Sequence, residues 1–167
     1  MEEPKAIKAD NGGFEALKPA IITLVNQYPG LLNGEEITFN GLTQEDGISI
    51  ELETGALVYK EQKFITGDIK QECQLPFLIV YRSHPTSEYL KIGVNKFLDD
   101  LGAWLCQEPV VIDGVEHRLK SYPAISGGRK ITNSIRFNSY ALEPNENGSQ
   151  DWVIPITVHY THEFEKW

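Results

Sequence analysis

The stretch WVIPITVHYT, residues 152–161, alternates between two sets of side chains and decides the fold that we predict. The first set is large and apolar: Trp152, Ile154, Ile156, Val158 and Tyr160. The second set is more polar: Val153, Pro155, Thr157, His159 and Thr161. Because successive side chains of a β-strand point to opposite faces, this period of two predicts a strand with one face in the core. Pro155 lacks a backbone N–H, which favours an edge strand or a bulge.

Two other stretches predict strands in different surroundings. In residues 47–53 the apolar set is Ile48, Ile50 and Leu52, and the polar set is Ser49, Glu51 and Glu53. This alternation indicates a half-buried strand with an acidic outer face. Residues 75–81 are apolar throughout, which is typical of a strand buried on both faces. Pro76 is then expected at the start of that strand, because a central strand cannot lose a ladder donor.

Shorter strands and turns fill much of the remaining chain. The further strand candidates are residues 36–40, 116–125 and 134–142. Residues 59–68 are polar and predict an exposed hairpin or a mobile loop. The pair Asp113-Gly114 is typical of a turn, and residues 143–150 have the composition of a loop.

Two amphipathic helices are predicted. Residues 90–105 carry apolar side chains at steps of three and four, which favours a helix capped by Thr86 or Ser87 and ended by Pro109. Residues 14–27 repeat that spacing less regularly. Because proline is tolerated only in the first turn, this second helix is expected to begin near Lys18, with Pro19 in that turn.

The order of these elements predicts one α+β domain over residues 1–167, with residues 1–13 as a flexible lead-in. The expected architecture is a mixed, mostly antiparallel sheet packed by one long and one shorter helix. So few helices cannot cover both faces of such a sheet. Either one sheet face is polar, as the acidic side of residues 47–53 suggests, or a partner covers it.

The charge balance excludes several classes of function. The chain has 167 residues, with 24 acidic and 15 basic side chains and a formal net charge of −9. We therefore expect no specific binding to duplex DNA and no attraction to an anionic membrane. No apolar run is long enough to cross a bilayer, and the first ten residues do not resemble a signal peptide. Cys73 and Cys106 are expected to be free thiols in a reducing compartment.

Few residues suggest chemistry, so we predict that the chain is not an enzyme and holds no metal or cofactor. His159, His162 and Glu163 resemble a metal site, but on a strand the two histidines point to opposite faces. Cys106 is a candidate nucleophile with no supporting signature, and a buried structural thiol is the simpler interpretation.

Residues 126–130, SGGRK, are glycine-rich and basic. They predict either a phosphate cradle or a flexible joint between strands, and they lack the spacing of a P-loop. Arg129 and Lys130 are also candidates for a small contact patch. Trp167, at the C-terminus, is either a contact point or a disordered end.

The order of several core and turn segments resembles the tail terminator family of long-tailed phages, often called minor capsid proteins. The resemblance covers roughly residues 39–160. Its segments are residues 39–42 (FNGL), 47–51 (GISIE), 75–77 (LPF), 80–83 (VYRS), 95–105 (NKFLDDLGAWL) and 158–160 (VHY). None of these segments is a catalytic motif, so the order and spacing together carry the resemblance.

The resemblance implies a structural protein that caps the tail tube and joins it to the head connector. Its partners would be copies of itself, in a ring of six, together with the tail-tube protein and a head-completion or connector protein. DNA would pass through an acidic lumen without specific binding. The protein would be assembled in the bacterial cytoplasm and reside in the virion. The candidate lumen or interface residues are Ser49, Glu51, Glu53, Glu61, Lys63, Asp68, Arg129, Lys130 and Trp167. An adaptor module that recognises another protein or a sugar is the alternative.

Overall fold

Two strands of sixteen residues each, β5 (Asp68–Ser83) and β10 (Gln150–Glu165), form the centre of the structure. The structure is a computed structural model that describes residues 5–31, 35–40, 42, 47–83 and 88–166, with only the backbone of residues 88–92. The other strands are β1 (Lys8–Ala9), β2 (Ile37–Phe39), β3 (Gly47–Leu52), β4 (Leu57–Lys63), β6 (Val110–Ile112), β7 (Val115–His117), β8 (Arg129–Arg136) and β9 (Tyr140–Ala141). The helices are α1 (Gly13–Val25) and α2 (Glu88–Leu105).

Strands β5 and β10 pair antiparallel over their whole length, from Asp68 opposite Glu165 to Ser83 opposite Gln150. Strands β3 and β4 share the other side of β5, while β8 and β9 share the other side of β10. Strand β1 pairs antiparallel with β4, and β2 pairs parallel with β3. In the described chain this gives a mixed, mostly antiparallel sheet with two helices, which confirms the predicted class of fold.

Pro76 in β5 and Pro155 in β10 each lie where one partner strand ends and the next one begins. The ladder between β4 and β5 ends at Gln74, and the ladder between β3 and β5 begins at Phe77, so Pro76 lies in the gap between them. Pro155 lies likewise between the stretches of β10 that pair with β8 and with β9. At neither position is a backbone N–H needed for a hydrogen bond to a strand on the side of this gap. The prediction that Pro76 begins a strand is therefore wrong. The edge strand or bulge predicted at Pro155 is also wrong, because β10 has partners on both sides and its register with β5 is unbroken there.

Helix α1 begins at Gly13, five residues before the predicted start, and contains Pro19 in its interior. Burial explains why this proline is tolerated, because Leu17 and Ile21 on either side of it are almost fully buried. The packing of the buried face of α1 offsets the backbone hydrogen bond that Pro19 cannot donate. The predicted caps of α2, Thr86 and Ser87, lie outside the described residues.

The lead-in predicted over residues 1–13 contains a short strand and a buried carboxyl, and its flexibility stays a prediction. Strand β1 pairs with β4, the N–H of Ile7 donates to the carbonyl of Val58 over 2.8 Å, and Asp10 is buried. The strand predicted over residues 116–125 is also longer than the observed β7, while the segment predicted over 134–142 divides between β8 and β9. The hairpin predicted in residues 59–68 and the turn at Asp113-Gly114 are confirmed.

One hydrophobic cluster joins both helices to the sheet. It contains Leu17 and Ile21 from α1, Leu98, Leu101 and Trp104 from α2, and Ile50, Phe77, Ile154 and Tyr160 from the sheet. All five members of the apolar set in residues 152–160 are buried, which confirms the face predicted from their alternation. Leu52 is the exception on β3, because it lies at the exposed end of that strand.

Gly102 and Gly93 on α2 give a matched test of how closely the helix packs on the sheet. A Cβ atom at Gly102 would lie 2.5 Å from Cδ1 of the buried Ile154, whereas one at Gly93 would meet no atom within 4 Å. We expect Gly93→Ala to raise the free energy of unfolding by about 0.5–1 kcal/mol through helix propensity. Gly102→Ala should lower it by about 1–3 kcal/mol through overpacking. Urea unfolding measures both, and equal gains would contradict the packing described here.

Candidate assembly surfaces

A buried polar cluster ties the N-terminal segment to two distant strands. Nη2 of Arg129 lies 2.9 Å from Oδ1 of Asp10, and Nε of Arg129 donates to Oδ2 over 3.1 Å. The hydroxyl of Tyr160 also donates to the Asp10 carboxylate. The side chains of Arg129 and Asp10 are only 9% and 3% exposed, respectively. The side chain of Arg129, which was predicted as a contact-patch or lumen residue, is therefore held in this cluster by Asp10.

The surroundings of Asp10 determine its charge state. Burial alone would raise the pKa of this carboxyl, but the hydrogen bonds from Arg129 and Tyr160 lower it below its usual value. His162 lies beside the pair, with its Nδ1 3.6 Å from Oδ1 of Asp10. Burial and the Arg129 guanidinium lower the pKa of His162. The cluster therefore favours an ionised Asp10 beside a neutral imidazole.

Gly128 brings the loop before β8 against the end of β10. Its φ of +75° lies in the left-handed region, and a Cβ atom there would overlap the carbonyl oxygen of Glu163. The carbonyl of Gly128 accepts the N–H of Glu163 over 2.9 Å. Residues 126–130 therefore form a joint that leads into β8, and its contacts with β10 make it tighter than the flexible joint that the sequence predicted.

An open groove lies where the β4–β5 hairpin meets the end of β10. It has a volume of about 940 Å³ and is lined by Lys63, Phe64, Ile65, Thr66, Asp68, Ile69, Lys70, Glu163, Phe164 and Glu165. We call it the hairpin groove. Phe64 and Phe164 are substantially exposed, and Ile65 at the tip of the hairpin is fully exposed. The turn is fixed by hydrogen bonds from the N–H of Gly67 to Phe64 and from the N–H of Lys166 to Gly67.

A second set of exposed apolar side chains follows the opposite edge of the sheet. Its members are Ile135, Phe137, Tyr140 and Leu142, and we call it the apolar edge. Phe137 is 65% exposed. The backbone of this segment is fixed by hydrogen bonds to β10. The N–H of Phe137 donates to the carbonyl of Pro155, and the N–H of Leu142 donates to the carbonyl of Asp151. Exposed apolar side chains on an ordered backbone are typical of contact surfaces.

The structure separates the predicted lumen residues into distinct places. Lys63 and Asp68 line the hairpin groove, and Glu61 lies on the same hairpin, bonded to Lys8 and Gln71. Ser49, Glu51 and Glu53 lie on or next to β3, which pairs with the other half of β5. Because Glu51 pairs with Leu78 and Lys63 with Ile69, the two groups lie about 30 Å apart along β5.

The predicted acidic outer face of β3 is wrong at Ser49. Ser49 is fully buried, and its hydroxyl donates to Oε1 of Glu51 over 2.9 Å. The reason is that β3 is an inner strand, paired with both β2 and β5. Glu53 and Lys130 are exposed, as a lumen or contact residue would need to be. Trp167 lies outside the described residues.

The candidate reactive groups lie in surroundings that suppress their reactivity. Burial raises the pKa of Cys73 to about 12 and that of Cys106 to about 11, so both thiols are protonated at neutral pH. His159 and His162 lie three residues apart on β10, as predicted. Within the described ranges, no three His, Cys, Asp or Glu side chains are grouped as they would be around a metal ion. Neither described helix is long and apolar enough to span a membrane.

Most of the exposed apolar residues were not among the candidates predicted from the sequence. All the candidate residues except Ser49 and Trp167 are charged, whereas both surfaces are defined by Phe, Ile, Tyr and Leu side chains. One signal was present: Phe64 and Ile65 interrupt an otherwise polar segment that was predicted to be exposed. At the apolar edge no such signal exists, because residues 134–142 were predicted only to be one strand.

Removing one partner of the buried pair of Asp10 and Arg129 should lower the free energy of unfolding far more than removing one partner of an exposed pair. We expect Asp10→Ala to lower the free energy of unfolding by about 3–5 kcal/mol, because it leaves a buried guanidinium without a counter-charge. The control is Lys8→Ala, which removes the exposed pair with Glu61 and should cost at most about 1 kcal/mol. Urea unfolding measures both variants, and similar losses would contradict the structural role of Asp10.

Stability should also fall as the pH drops from about 7 to about 5. The pKa values of His159 and His162 are lowered in the fold, each with burial as the main cause. Below their ordinary pKa the unfolded chain binds more protons than the folded one, so acid favours unfolding. The double variant His159→Gln with His162→Gln should flatten this dependence, as measured by urea unfolding at several pH values. An unchanged slope would show that other groups cause it.

No protein-family model matches the chain, and no curated protein matches it. The resemblance to tail terminators therefore depends on the order of the segments in the sequence, and its functional meaning must be argued from the surfaces described above.

Proposed function

We propose that this protein is a structural tail terminator of a phage or prophage tail. Copies of the chain form a ring, with six as the expected number, that caps the tail tube and contacts the head connector. The observation that carries the proposal is the presence of two different exposed apolar surfaces, the hairpin groove and the apolar edge, on one chain. Heterologous contacts between unlike surfaces close into rings when the rotation between copies permits it.

The energetic cost of leaving these side chains in water supports an assembly role. Burial of a large apolar side chain is worth about 1.5–3 kcal/mol. Ile65 and Phe137 gain little of this in the isolated chain, because both are mostly exposed. A contact that covers such residues recovers that free energy. The polar groups around them, such as Lys63 and Glu163 at the groove, are typical of the rim of a protein interface.

Charge supports the passage of DNA through such a ring. Each chain carries a formal charge of −9, so a ring of six copies would present a strongly acidic assembly. Acidic walls repel the phosphate backbone and prevent adhesion during passage. Glu51 and Glu53 at the end of β3 are the proposed lumen residues that best retain this role, since Arg129 and Ser49 are buried.

The hairpin groove also favours a second function, that of a binding or adaptor module. Its volume of about 940 Å³ and its aromatic side chains, Phe64 and Phe164, would suit a peptide or a sugar. The two functions differ in partner. An adaptor would retain a sugar or a host protein in a pull-down, whereas a terminator would retain tail components and copies of itself.

Electron microscopy of the purified protein, alone and mixed with tail tubes from the same phage or prophage, tests the proposal. We expect rings with a central hole, either free or seated on tube ends, because the two apolar surfaces favour self-association. Tubes without added protein are the control. A chain that stays monomeric and never binds a tube end would contradict the terminator function.

A further inference from the structure

We infer that residues 5–12 form a strap that opens separately from the rest of the fold, and that it closes by placing the Asp10 carboxylate in a preformed carboxylate-binding site. The site consists of the Arg129 guanidinium and the Tyr160 hydroxyl, with the His162 imidazole beside them. We call residues 5–12 the N-terminal strap. The strap lies outside the hairpin groove and the apolar edge, so this inference does not depend on the proposed function.

Asp10 is the side chain through which the strap reaches the interior of the protein. The structure describes the whole strap, and within it only Asp10 is buried, while Ile7 is 60% exposed. Elsewhere in the strap the contacts lie at the surface. The N–H of Ile7 donates to a carbonyl of β4, and Lys8 forms an exposed ion pair with Glu61 that contributes at most about 1 kcal/mol. Without the Asp10 carboxylate, the strap therefore has no buried side chain to hold it.

The groups that bind the Asp10 carboxylate are held by the sheet and not by the strap. Tyr160 and His162 belong to β10, which has a partner strand on both sides at these positions. Nδ1 of His162 lies 3.2 Å from Oε1 of Gln71 on β5. Arg129 begins β8 and lies opposite His162 in the ladder. Since these pairings do not involve the strap, the binding groups keep their positions when the strap opens.

The donors of this site match a carboxylate in number and geometry. Nη2 of Arg129 donates to Oδ1 of Asp10 over 2.9 Å, and Nε donates to Oδ2 over 3.1 Å. Tyr160 adds a third donor. A guanidinium presents two parallel N–H groups that fit the two oxygens of a planar carboxylate, whereas a single chloride ion cannot occupy both positions. The site should therefore accept a free carboxylate when the one from Asp10 is missing.

Two glycines allow the strap to close against the first turn of α1. Gly12 is the N-cap of α1, and its φ of +81° lies in the left-handed region, which glycine adopts without strain. A Cβ atom at Gly13 would overlap Oδ2 of Asp10 and would lie 2.7 Å from the hydroxyl oxygen of Tyr160. The chain thus has a flexible joint just after the carboxylate and no side chain between the carboxylate and the helix.

The closed strap covers an edge of the sheet. The carbonyl of Ala56 accepts the N–H of Asp10 over 2.9 Å, and the carbonyl of Val58 accepts the N–H of Ile7 over 2.8 Å. In the described sheet β1 is the outermost strand on this side. An open strap would leave both carbonyls without these partners, on the kind of edge to which other strands add. The strap therefore determines whether this edge of β4 is available.

Amide hydrogen exchange in Asp10→Ala tests both parts of the inference. The reporter amides are those of residues 7 and 10, which donate to β4 in the closed strap. In the variant we expect them to exchange as fast as in an unstructured chain, while amides of β5 and β10 remain protected. Sodium formate at about 0.5 M should restore their protection, because formate replaces the missing carboxylate. Sodium chloride at the same concentration should not.

Two further variants serve as controls. Lys8→Ala removes only the exposed ion pair with Glu61, so its strap should stay closed. The double variant Asp10→Ala with Arg129→Met lacks the guanidinium, so its strap should stay open in formate. Three results in Asp10→Ala would each overturn the inference: an unchanged strap, loss of protection in β5 and β10 together with the strap, or no response to formate. Closure of the strap by formate in the double variant would also overturn it, since a general salt effect would then be the cause.

Discussion

The antiparallel ladder between β5 and β10 is the constraint on which the rest of the structure depends. Sixteen residues of each strand pair without interruption. Each long strand then offers its other side to two shorter strands in succession, β3 and β4 on one side and β8 and β9 on the other. The changeovers explain the positions of Pro76 and Pro155. The ladder also sets the distance between the hairpin groove at one end and the apolar edge at the other.

The buried cluster around Asp10 stabilises the far end of this ladder. Tyr160 and His162 belong to β10, Arg129 begins β8, and Asp10 precedes α1. Their hydrogen bonds join residues more than one hundred positions apart in the chain, so the cluster forms only when the whole sheet is assembled. Its ionised carboxylate is retained because Arg129 and Tyr160 replace the water that burial removes. The cluster thereby holds the N-terminal segment against the strands that border the groove.

Local patterns predicted the fold well where one face of an element is buried. The alternation of residues 152–160 and the spacing of residues 90–105 identified β10 and α2, since the period of apolar residues reports directly which side is buried. The predictions based on prolines were wrong because a proline's effect on a strand or helix depends on neighbours that are remote in sequence. Pro19 lies on the exposed side of a helix whose other face is buried, and Pro155 lies in a gap between two partner strands. The pairing of Asp10 with Arg129 had no local signal at all.

We propose that this chain contacts copies of itself through two unlike surfaces, the hairpin groove and the apolar edge. Amide hydrogen exchange at low and high protein concentration measures this most directly, because a contact slows exchange in the segments that it covers. We expect added protection in two separate segments, the hairpin at residues 63–69 and the edge at residues 135–142. Self-association with added protection in only one of these segments, or in neither, would contradict it.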